Sequence, residues 1–245
     1  MYEATKTKVR CVAGTSEEFE VKIGVHQGSV LSHLLFILVI SFLTKDILVD
    51  GVWALLFADD IVLGSEFLQP LHIAFDMWRN KLEGGGLKIS GPKTEHMDCK
   101  FADITRATQQ LYFNNQPVPE CTKFKYLGSV VNQSATCDDD VNHRINVAWM
   151  KWRENSAIFC DCKMPMKIKG KLHSIIVRPA MLYSSQCWTM YRDFEKKLNA
   201  TDMKMLRISS GVTKLDHIRS TRIRESLHIK KTVVEKLYDD RRGWF

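Results

Sequence analysis

The sequence predicts an α+β fold in which a strand-containing unit precedes a mostly helical one. Short β-forming runs separated by turns dominate up to about residue 133, and helical periodicity dominates from residue 134 onward. The charge divides at nearly the same place. Residues 1–140 carry a net charge of −5, whereas residues 141–245 carry +12. We therefore expect two regions with different roles, 1–133 and 134–245, of which the basic one is the better candidate for contact with a polyanion.

The first elements are a hairpin and an apolar helix. Residues 9–23 combine β-forming runs with a turn-prone segment at 14–16, which predicts a β-hairpin. The apolar run 34–43 is about half as long as a membrane-spanning helix needs, so it predicts a buried helix, capped by Ser29 or Ser32. No membrane association is expected.

The segment 53-WALLFADDIVLGSE-66 predicts a second hairpin, with Asp59 and Asp60 at its tip. A helix is predicted next, from a cap at Ser65 to the glycines at 84–86. Its apolar residues recur at helical spacing and are Phe67, Leu71, Phe75, Trp78 and Leu82.

The remaining elements change character near residue 134. Three short β-like segments come first, at 87–90, 111–115 and 124–131. Asp138 or Asp139 can then cap a helix with the apolar stripe Val141, Ile145, Trp149 and Trp152. Further helical patterns cover 166–187, with an interruption at Pro179, and then 193–209 and 216–239.

The adjacent carboxylates of Asp59 and Asp60 allow two interpretations. Two like charges at a rigid turn repel each other unless a cation lies nearby, and hard divalent ions prefer oxygen ligands. Aspartate is also favoured in turns for purely conformational reasons, so an isolated Ala-Asp-Asp does not by itself indicate a metal site. The cysteines do not suggest zinc, because Cys160 and Cys162 lack a second correctly spaced pair. Seven cysteines without a pairing pattern are typical of free thiols in an intracellular protein.

Four ordered stretches resemble the reverse transcriptase of non-long-terminal-repeat (LINE-type) retrotransposons. They are 24-GVHQGSVLSHLLF-36, 57-FADDIVLG-64, 86-GLKISGPKTE-95 and 124-FKYLGS-129. The basic half resembles the region after the palm in one clade of these elements, at 144-RINVAWMKWRE-154, 177-VRPAMLYSSQCW-188, 203–219 and 241-RRGWF-245. The resemblance implies a partial polymerase palm at 1–133, an antiparallel sheet with helices, followed by a thumb-like or connecting helical region at 134–245.

The resemblance also assigns catalytic roles. Asp59 would be the principal metal ligand and Asp60 the second carboxylate. Phe57 would form an aromatic wall of the nucleotide pocket, where many relatives have tyrosine. Lys93 is the candidate lysine near the leaving pyrophosphate, although it fits a surface lysine equally well. The implied cofactor is Mg²⁺ or Mn²⁺.

Contacts with nucleic acid are implied at two further places. Gln27, Gly28 and Ser29 would lie against the template and the nucleotide, where glycine allows a close approach of the backbone. Tyr126, Leu127 and Gly128 would grip the end of the primer. His33 stands where the usual family motif has proline, a departure that bears on the local loop geometry but removes no reactive group. The implied partners are an RNA template, a DNA primer and deoxynucleotide triphosphates.

The family's first catalytic aspartate has no counterpart in residues 1–23. We therefore expect an N-terminally truncated reverse transcriptase whose metal ions are weakly held and whose polymerase activity is low or absent, because phosphoryl transfer depends on precise positioning. The alternative is a non-catalytic remnant that binds RNA or DNA through its basic half. A third possibility is a chain that does not fold alone.

Overall fold

The computed structural model describes residues 6–21, 28–99 and 110–243, which form two compact units. Unit 1 comprises residues 6–21, 28–94 and 110–117, and unit 2 comprises residues 95–99 and 118–243. The mixture of helices with small antiparallel sheets is compatible with the predicted α+β class. Among the described residues, no helix combines the length and apolar character that a membrane span requires.

Unit 1 begins with a short antiparallel ribbon. Strand β1 (Lys6–Thr7) pairs with β4 (Phe19–Glu20), and β2 (Arg10–Cys11) pairs with β3 (Gly14–Thr15). The predicted hairpin is present, but its turn is not at 14–16. The turn lies at residues 12 and 13 instead. Ser16 already takes part in strand pairing, because its N–H donates to the carbonyl of Val9 at 2.9 Å. Residues 22 and 23 lie outside the described residues.

Helix α1 (Val30–Thr44) forms where the apolar run predicts it, but its predicted burial is wrong for the described part of the chain. Only Ser32 and Ile40 are buried, whereas Leu34 is 53% and Phe42 69% exposed. The helix is apolar on all sides, and a single side packs on the core of unit 1. Ser29 occupies the N-cap position without a capping hydrogen bond from its side chain.

The core of unit 1 lies between two helices and a hairpin. Strands β5 (Val52–Phe57) and β6 (Asp60–Ser65) form the predicted hairpin, and helix α2 (Leu68–Gly84) follows. Helix α2 buries Ala74, Phe75, Trp78 and Leu82, which confirms most of the predicted stripe. The residue at its N-cap is Phe67, and Ser65 accepts the N–H of Phe67 at 3.3 Å instead of capping directly.

Two predicted β-like segments of unit 1 behave differently. Residues 87–90 form no strand, because they pass directly into a 3₁₀ turn at Gly91–Lys93. Residues 111–115 contribute to a small hairpin of β7 (Tyr112–Phe113) and β8 (Gln116–Pro117). The ring of Phe113 contacts that of Phe75 edge-on, with centroids 5.8 Å apart, and so packs this hairpin onto α2.

Unit 2 is a hairpin packed on a helical array. Strands β9 (Lys123–Tyr126) and β10 (Ser129–Asn132) precede helix α3 (Asp138–Glu154). The other helices are α4 (Ser156–Phe159), α5 (Met166–Leu172), α6 (Arg178–Leu182), α7 (Arg192–Ser209), α8 (Ser220–Ser226) and α9 (Val233–Arg242). A π-helical turn at His173–Val177 joins α5 to α6, and a 3₁₀ turn follows α6 at Ser185–Cys187. The predicted boundary at residue 133 falls between β10 and α3, inside this unit.

Two details of unit 2 differ from the predicted helices. The N-cap of α3 is Cys137, so the predicted cap at Asp138 or Asp139 is wrong. Both aspartates instead lie in the first helical turn, where negative charge is favourable to the helix dipole. The break expected near Pro179 is only local. Pro179 comes directly after the π-helical turn at His173–Val177, and the helical run continues past it to Leu182.

The helices of unit 2 enclose a buried polar network around Asp202, which is 2% exposed. Its Oδ1 atom lies 2.8 Å from Nε2 of His173, and its Oδ2 atom accepts a hydrogen bond from Arg178 at 2.8 Å. Burial alone would raise the pKa of Asp202, but the hydrogen bonds from His173 and Arg178 outweigh burial and lower it. Arg178 also donates to the carbonyl of Lys231 at 2.9 Å. The network therefore ties α6 and α7 to the segment that precedes α9.

Replacing the buried carboxylate should destabilise unit 2 strongly. We expect Asp202→Asn to lower the free energy of unfolding by about 3–5 kcal/mol, because it leaves the buried Arg178 guanidinium without a counter-charge. Urea denaturation followed by circular dichroism measures this change. The matched control is Asp193→Asn on the same helix, since that side chain is 88% exposed and should contribute little. Equal effects of the two variants would contradict the prediction.

The same residue gives an acid dependence of stability. Because the folded chain lowers the pKa of Asp202, its contribution is complete above the unfolded value near 3.8 and is lost as the pH falls through the folded pKa. The stability difference between the parent chain and Asp202→Asn should therefore be constant from about pH 5 to 7 and shrink below about pH 4. Urea titrations at a series of pH values test this. A difference that persists unchanged at acid pH would refute it.

Candidate functional site

The candidate site in unit 1 is the tip of the β5–β6 hairpin. Six register pairs join the two strands, from Val52 opposite Ser65 to Phe57 opposite Asp60. Only Ala58 and Asp59 remain in the turn, so Asp60 is the first residue of β6. This confirms the predicted hairpin and makes its tip a tight two-residue turn.

The backbone at this tip is strained. Ala58 has a φ of +51°, a left-handed conformation that glycine, asparagine and aspartate adopt far more readily than alanine. Such strain costs on the order of 1 kcal/mol and persists only where the surrounding structure enforces it. Here the ladder on both sides of the turn enforces it.

The packing across the hairpin depends on a residue pair that the motif analysis did not single out. Trp53 stands opposite Gly64, and a Cβ atom built on Gly64 would lie only 2.1 Å from the Trp53 ring. The tryptophan therefore lies flat against the glycine backbone, and a side chain at position 64 would displace it. The sequence feature that could have revealed this pair is a glycine inside a predicted strand, because such a glycine often marks the close approach of another group to the backbone.

The two carboxylates at the tip are exposed. Among the described residues, neither Asp59 nor Asp60 forms an ion pair, and no group of three or more His, Cys, Asp or Glu side chains is placed to hold a metal ion. Magnesium prefers six oxygen ligands in near-octahedral geometry and usually keeps several waters. Two adjacent aspartates are suitable donors for such an ion, but these described residues supply only part of a metal site.

The other predicted residues of unit 1 lie apart from this tip in sequence. Gln27 lies outside the described residues. Gly28 has a φ of +88°, a conformation that favours glycine, and Ser29 is the N-cap of helix α1. Lys93 is exposed at the end of the 3₁₀ turn and forms no ion pair within the described part of the chain. Their predicted roles in binding template, nucleotide and pyrophosphate stay predictions.

In unit 2 the predicted residues Tyr126, Leu127 and Gly128 form the β9–β10 turn. Leu127 and Gly128 have φ values of +49° and +86°, the backbone signature of a type I′ hairpin turn. The Leu127 carbonyl accepts a hydrogen bond from the Tyr183 hydroxyl at 3.2 Å. The Gly128 carbonyl accepts one from the Arg144 guanidinium.

A buried aspartate joins this hairpin to the helices. Asp140 is 3% exposed, and its Oδ1 atom accepts the N–H of Val130 at 3.0 Å. Its Oδ2 atom accepts the indole N–H of Trp188 at 2.7 Å. Sequence analysis singled out Asp138 and Asp139 as capping residues and missed this contact of Asp140. Asp140 and Arg144 are nevertheless among the buried residues of α3.

A basic stripe runs along the parallel helices α3 and α7. We define it as Asn142, Trp149 and Arg153 on α3 together with Lys197 and Lys204 on α7. The Lys204 ammonium and the Arg153 guanidinium lie 5.7 and 6.0 Å from the centroid of the Trp149 ring. Lys197 donates to the side-chain carbonyl of Asn142. None of the three cations has a carboxylate within 4.0 Å among the described residues, so the positive charge of the stripe is uncompensated.

Comparisons with known proteins give one consistent result. The family profile "Reverse transcriptase (RNA-dependent DNA polymerase)" matches residues 1–131. A transposon-derived protein of Caenorhabditis elegans is 24% identical over 181 residues, which cover 74% of this chain and 64% of that protein. A probable RNA-directed DNA polymerase from transposon X-element of Drosophila melanogaster is 26% identical over 226 residues, or 85% of this chain and 24% of that protein.

A third relative is the Pol polyprotein from the type-2 retrotransposable element R2DM of Drosophila melanogaster. It is 30% identical over 150 residues, which cover 55% of this chain and 14% of the polyprotein. The chain thus spans only part of the length of each of these relatives. No solved structure gives a significant match.

The strain at the hairpin tip can be tested directly. We expect Ala58→Gly to stabilise the β5–β6 hairpin by about 0.5–1 kcal/mol, because glycine adopts a positive φ without steric cost. Hydrogen exchange of the β5 and β6 amides measures the free energy of opening. The control is Ala54→Gly in the middle of β5, which should destabilise the hairpin by a similar amount because extended backbone gains nothing from glycine. Two effects of the same sign would show that Ala58 is not strained.

Proposed function

The chain belongs to the reverse transcriptase (RNA-dependent DNA polymerase) family, and we propose that it forms part of the reverse transcriptase domain of a non-long-terminal-repeat retrotransposon. In this proposal residues 1–133 supply part of the palm and residues 134–245 a thumb-like or connecting region. The substrates would be an RNA template, a DNA primer and deoxynucleotide triphosphates. Since the chain spans only part of its relatives, their complete activity is not assigned to it.

The observation that carries this proposal is the rigid hairpin with adjacent carboxylates at its strained tip. A ladder of six register pairs fixes the turn, so Asp59 and Asp60 are held near each other in spite of their repulsion. The aromatic ring of Phe57 is exposed beside them, directly opposite Asp60 in the register. This arrangement suits a site where a cation and a nucleotide base meet.

The β9–β10 turn supports the predicted contact with the primer. Its two carbonyls accept hydrogen bonds from Arg144 and Tyr183, whereas the amide N–H groups of Leu127 and Gly128 have no acceptor among the described residues. Unpaired backbone donors in a tight turn suit a phosphate oxygen. We infer that this turn contacts the backbone of the primer strand.

We propose further that this 245-residue chain polymerises slowly or not at all by itself. A bound divalent ion would neutralise charge on the transferring phosphoryl group, and Asp59 and Asp60 are the residues that would hold it. Within the described part of the chain, Asp59 and Asp60 are not joined by a third ligand side chain, so such an ion would be weakly held and loosely positioned. Nucleotide transfer needs tight positioning, so the rate should be low.

A second candidate function is favoured by the basic stripe. Arg153 and Lys204 flank the Trp149 ring, and Lys197 lies further along the stripe. Within the described part of the chain these three cations have no carboxylate partner, so they can bind phosphates of RNA or of a hybrid duplex. In this reading the chain binds nucleic acid without catalysis. The two functions are compatible in one molecule, but only the first depends on Asp59.

Primer extension tests the first proposal. With an RNA template, a DNA primer and Mg²⁺ or Mn²⁺, we expect incorporation by the chain to stay at the background set by Asp59→Asn. Titration of Mn²⁺ followed by its paramagnetic resonance should give weak binding, with a dissociation constant on the order of 1 mM, which Asp59→Asn weakens further. Asp46→Asn, at another exposed aspartate of unit 1, is the control and should leave Mn²⁺ binding unchanged.

Two outcomes would contradict these proposals in different ways. Robust extension that Asp59→Asn abolishes would show that the metal site is completed within this chain, and the proposed low activity would be wrong. Mn²⁺ binding that is insensitive to Asp59→Asn would remove the hairpin tip from the site altogether.

The binding function is tested by salt dependence. We expect the double variant Arg153→Ala, Lys204→Ala to reduce the slope of log affinity against log salt by about 1.4 for a single-stranded RNA, because each lost phosphate contact contributes about 0.7. The control double variant is Lys163→Ala, Lys214→Ala, which removes the same charge from exposed positions outside the stripe. Equal losses in the two double variants would mean that binding follows net charge rather than this surface.

A further inference from the structure

The β9–β10 turn needs an external support. Leu127 has a φ of +49°, a conformation that side chains other than glycine, asparagine and aspartate rarely adopt. A two-stranded hairpin is only marginally stable by itself. The strained backbone of Leu127 therefore persists because contacts from outside the hairpin hold it.

Two side chains supply these contacts, one to each carbonyl of the turn. The Tyr183 hydroxyl donates to the Leu127 carbonyl at 3.2 Å, and the Arg144 guanidinium donates to the Gly128 carbonyl. The two side chains also contact each other, because the Arg144 guanidinium carbon lies 4.4 Å from the centroid of the Tyr183 ring. They form one latch, which we define as Arg144 together with Tyr183.

The latch is itself held in place. The Arg144 side chain is 8% exposed, and its Nε atom lies 3.9 Å from Oδ1 of Asp140, the same atom that accepts the N–H of Val130. On the other side, Ser184 hydrogen-bonds the Ser129 hydroxyl through its own hydroxyl at 2.5 Å. Asp140, beside Arg144, and Ser184, next to Tyr183, each hydrogen-bond to strand β10. The latch and the turn are therefore held in fixed positions relative to each other.

The fit between latch and turn leaves no spare space. A Cβ atom on Gly128 would lie 3.0 Å from the guanidinium of Arg144 and 3.1 Å from the ring of Tyr183. Glycine is therefore required at this position for two separate reasons, its φ of +86° and this close approach. The carbonyl side of the turn faces the latch, and the Leu127 and Gly128 amide groups, which have no acceptor in the described part of the chain, remain for a ligand.

We propose that Arg144 and Tyr183 are positioning residues for the primer-contacting turn, although both lie beyond the segment that matches the reverse transcriptase family. This inference rests on the proposed function, in which the Leu127–Gly128 turn contacts the primer strand. The latch orients the turn so that its amide groups meet the end of the primer. The helical unit thereby sets the geometry of a contact that belongs to the family-matched segment.

The test compares two ligands for the full chain by fluorescence anisotropy. One is an RNA–DNA hybrid with a recessed DNA 3′ end, and the other is a continuous hybrid without such an end within the binding site. The measured quantity is the ratio of the two affinities. Tyr183→Phe removes one hydroxyl from a side chain that is 54% exposed, so it should fold normally. Arg144→Lys keeps the charge but loses the planar fork of donors.

We expect each variant to lower the preference for the recessed end about three- to tenfold, the effect of losing one hydrogen bond, while the affinity for the continuous hybrid stays the same. Tyr191→Phe is the matched control for the tyrosine, because the exposed Tyr191 side chain contacts the Phe194 ring and its hydroxyl forms no hydrogen bond within the described part of the chain. Arg207→Lys is the control for the arginine, because Arg207, like Arg144, donates to loop carbonyl groups, in this case those of Thr213 and Ile218. Both controls should keep the preference.

The outcomes separate this inference from the proposed function. A parent chain without any preference for the recessed end overturns the proposed primer contact, and the positioning role with it. A parent chain with a preference that Tyr183→Phe retains overturns the positioning role alone. An equal loss of affinity for both hybrids, in the variants and in Arg207→Lys, would show a general structural role and would also overturn it.

Discussion

The buried carboxylate of Asp140 is the contact on which the arrangement of the helical unit around its hairpin depends. It accepts one hydrogen bond from the backbone of β10 and one from the indole of Trp188, and it lies beside the guanidinium of Arg144. A carboxylate this deeply buried is tolerated only when its oxygens are satisfied. A movement of the hairpin would break the bond from Val130 to Asp140 and, with it, the bonds from Arg144 and Tyr183 to the turn carbonyls.

The same physical rule explains the second buried carboxylate. Asp202 is satisfied by His173 and Arg178 and ties α7 to α6, in a part of the unit where the chain also forms a π-helical turn. Unit 1 has no comparable network among its described residues and relies on one apolar cluster. Its helix α1 and strand β5 expose large apolar side chains, so less of its apolar surface contributes to stability. Stability is therefore concentrated in the unit that lies mostly beyond the family-matched segment.

Local patterns predicted the elements well and tertiary contacts poorly. The two apolar runs around Asp59 and Asp60 predicted the hairpin, and the spacing of Phe75, Trp78 and Leu82 predicted α2, because both signals depend on periodicity alone. The burial of α1 was predicted wrongly, since an apolar run reports its own hydropathy and not what covers it. The hydrogen bonds from Arg144 and Tyr183 to the carbonyls of Gly128 and Leu127 could not be predicted either. Tyr183 lies more than fifty residues away, and no local rule connects it to a turn carbonyl.

The two turns that the family resemblance singles out share a physical property. Ala58 and Leu127 each hold a non-glycine backbone at positive φ, and each is the first residue of a two-residue hairpin turn. Their supports differ. The turn at Leu127 has side chains from the helices on both carbonyls, whereas the turn at Ala58 is held by its own ladder and by the hydroxyl of Ser65, which donates to the carbonyl of Gly51 at the far end. A strained turn that side chains outside the hairpin hold in place keeps a fixed geometry. A strained turn that depends on its own ladder of hydrogen bonds relaxes when that ladder opens. The Leu127–Gly128 turn is therefore the better organised of the two, whereas the looser support of the Ala58–Asp59 turn leaves the positions of the Asp59 and Asp60 carboxylates less fixed.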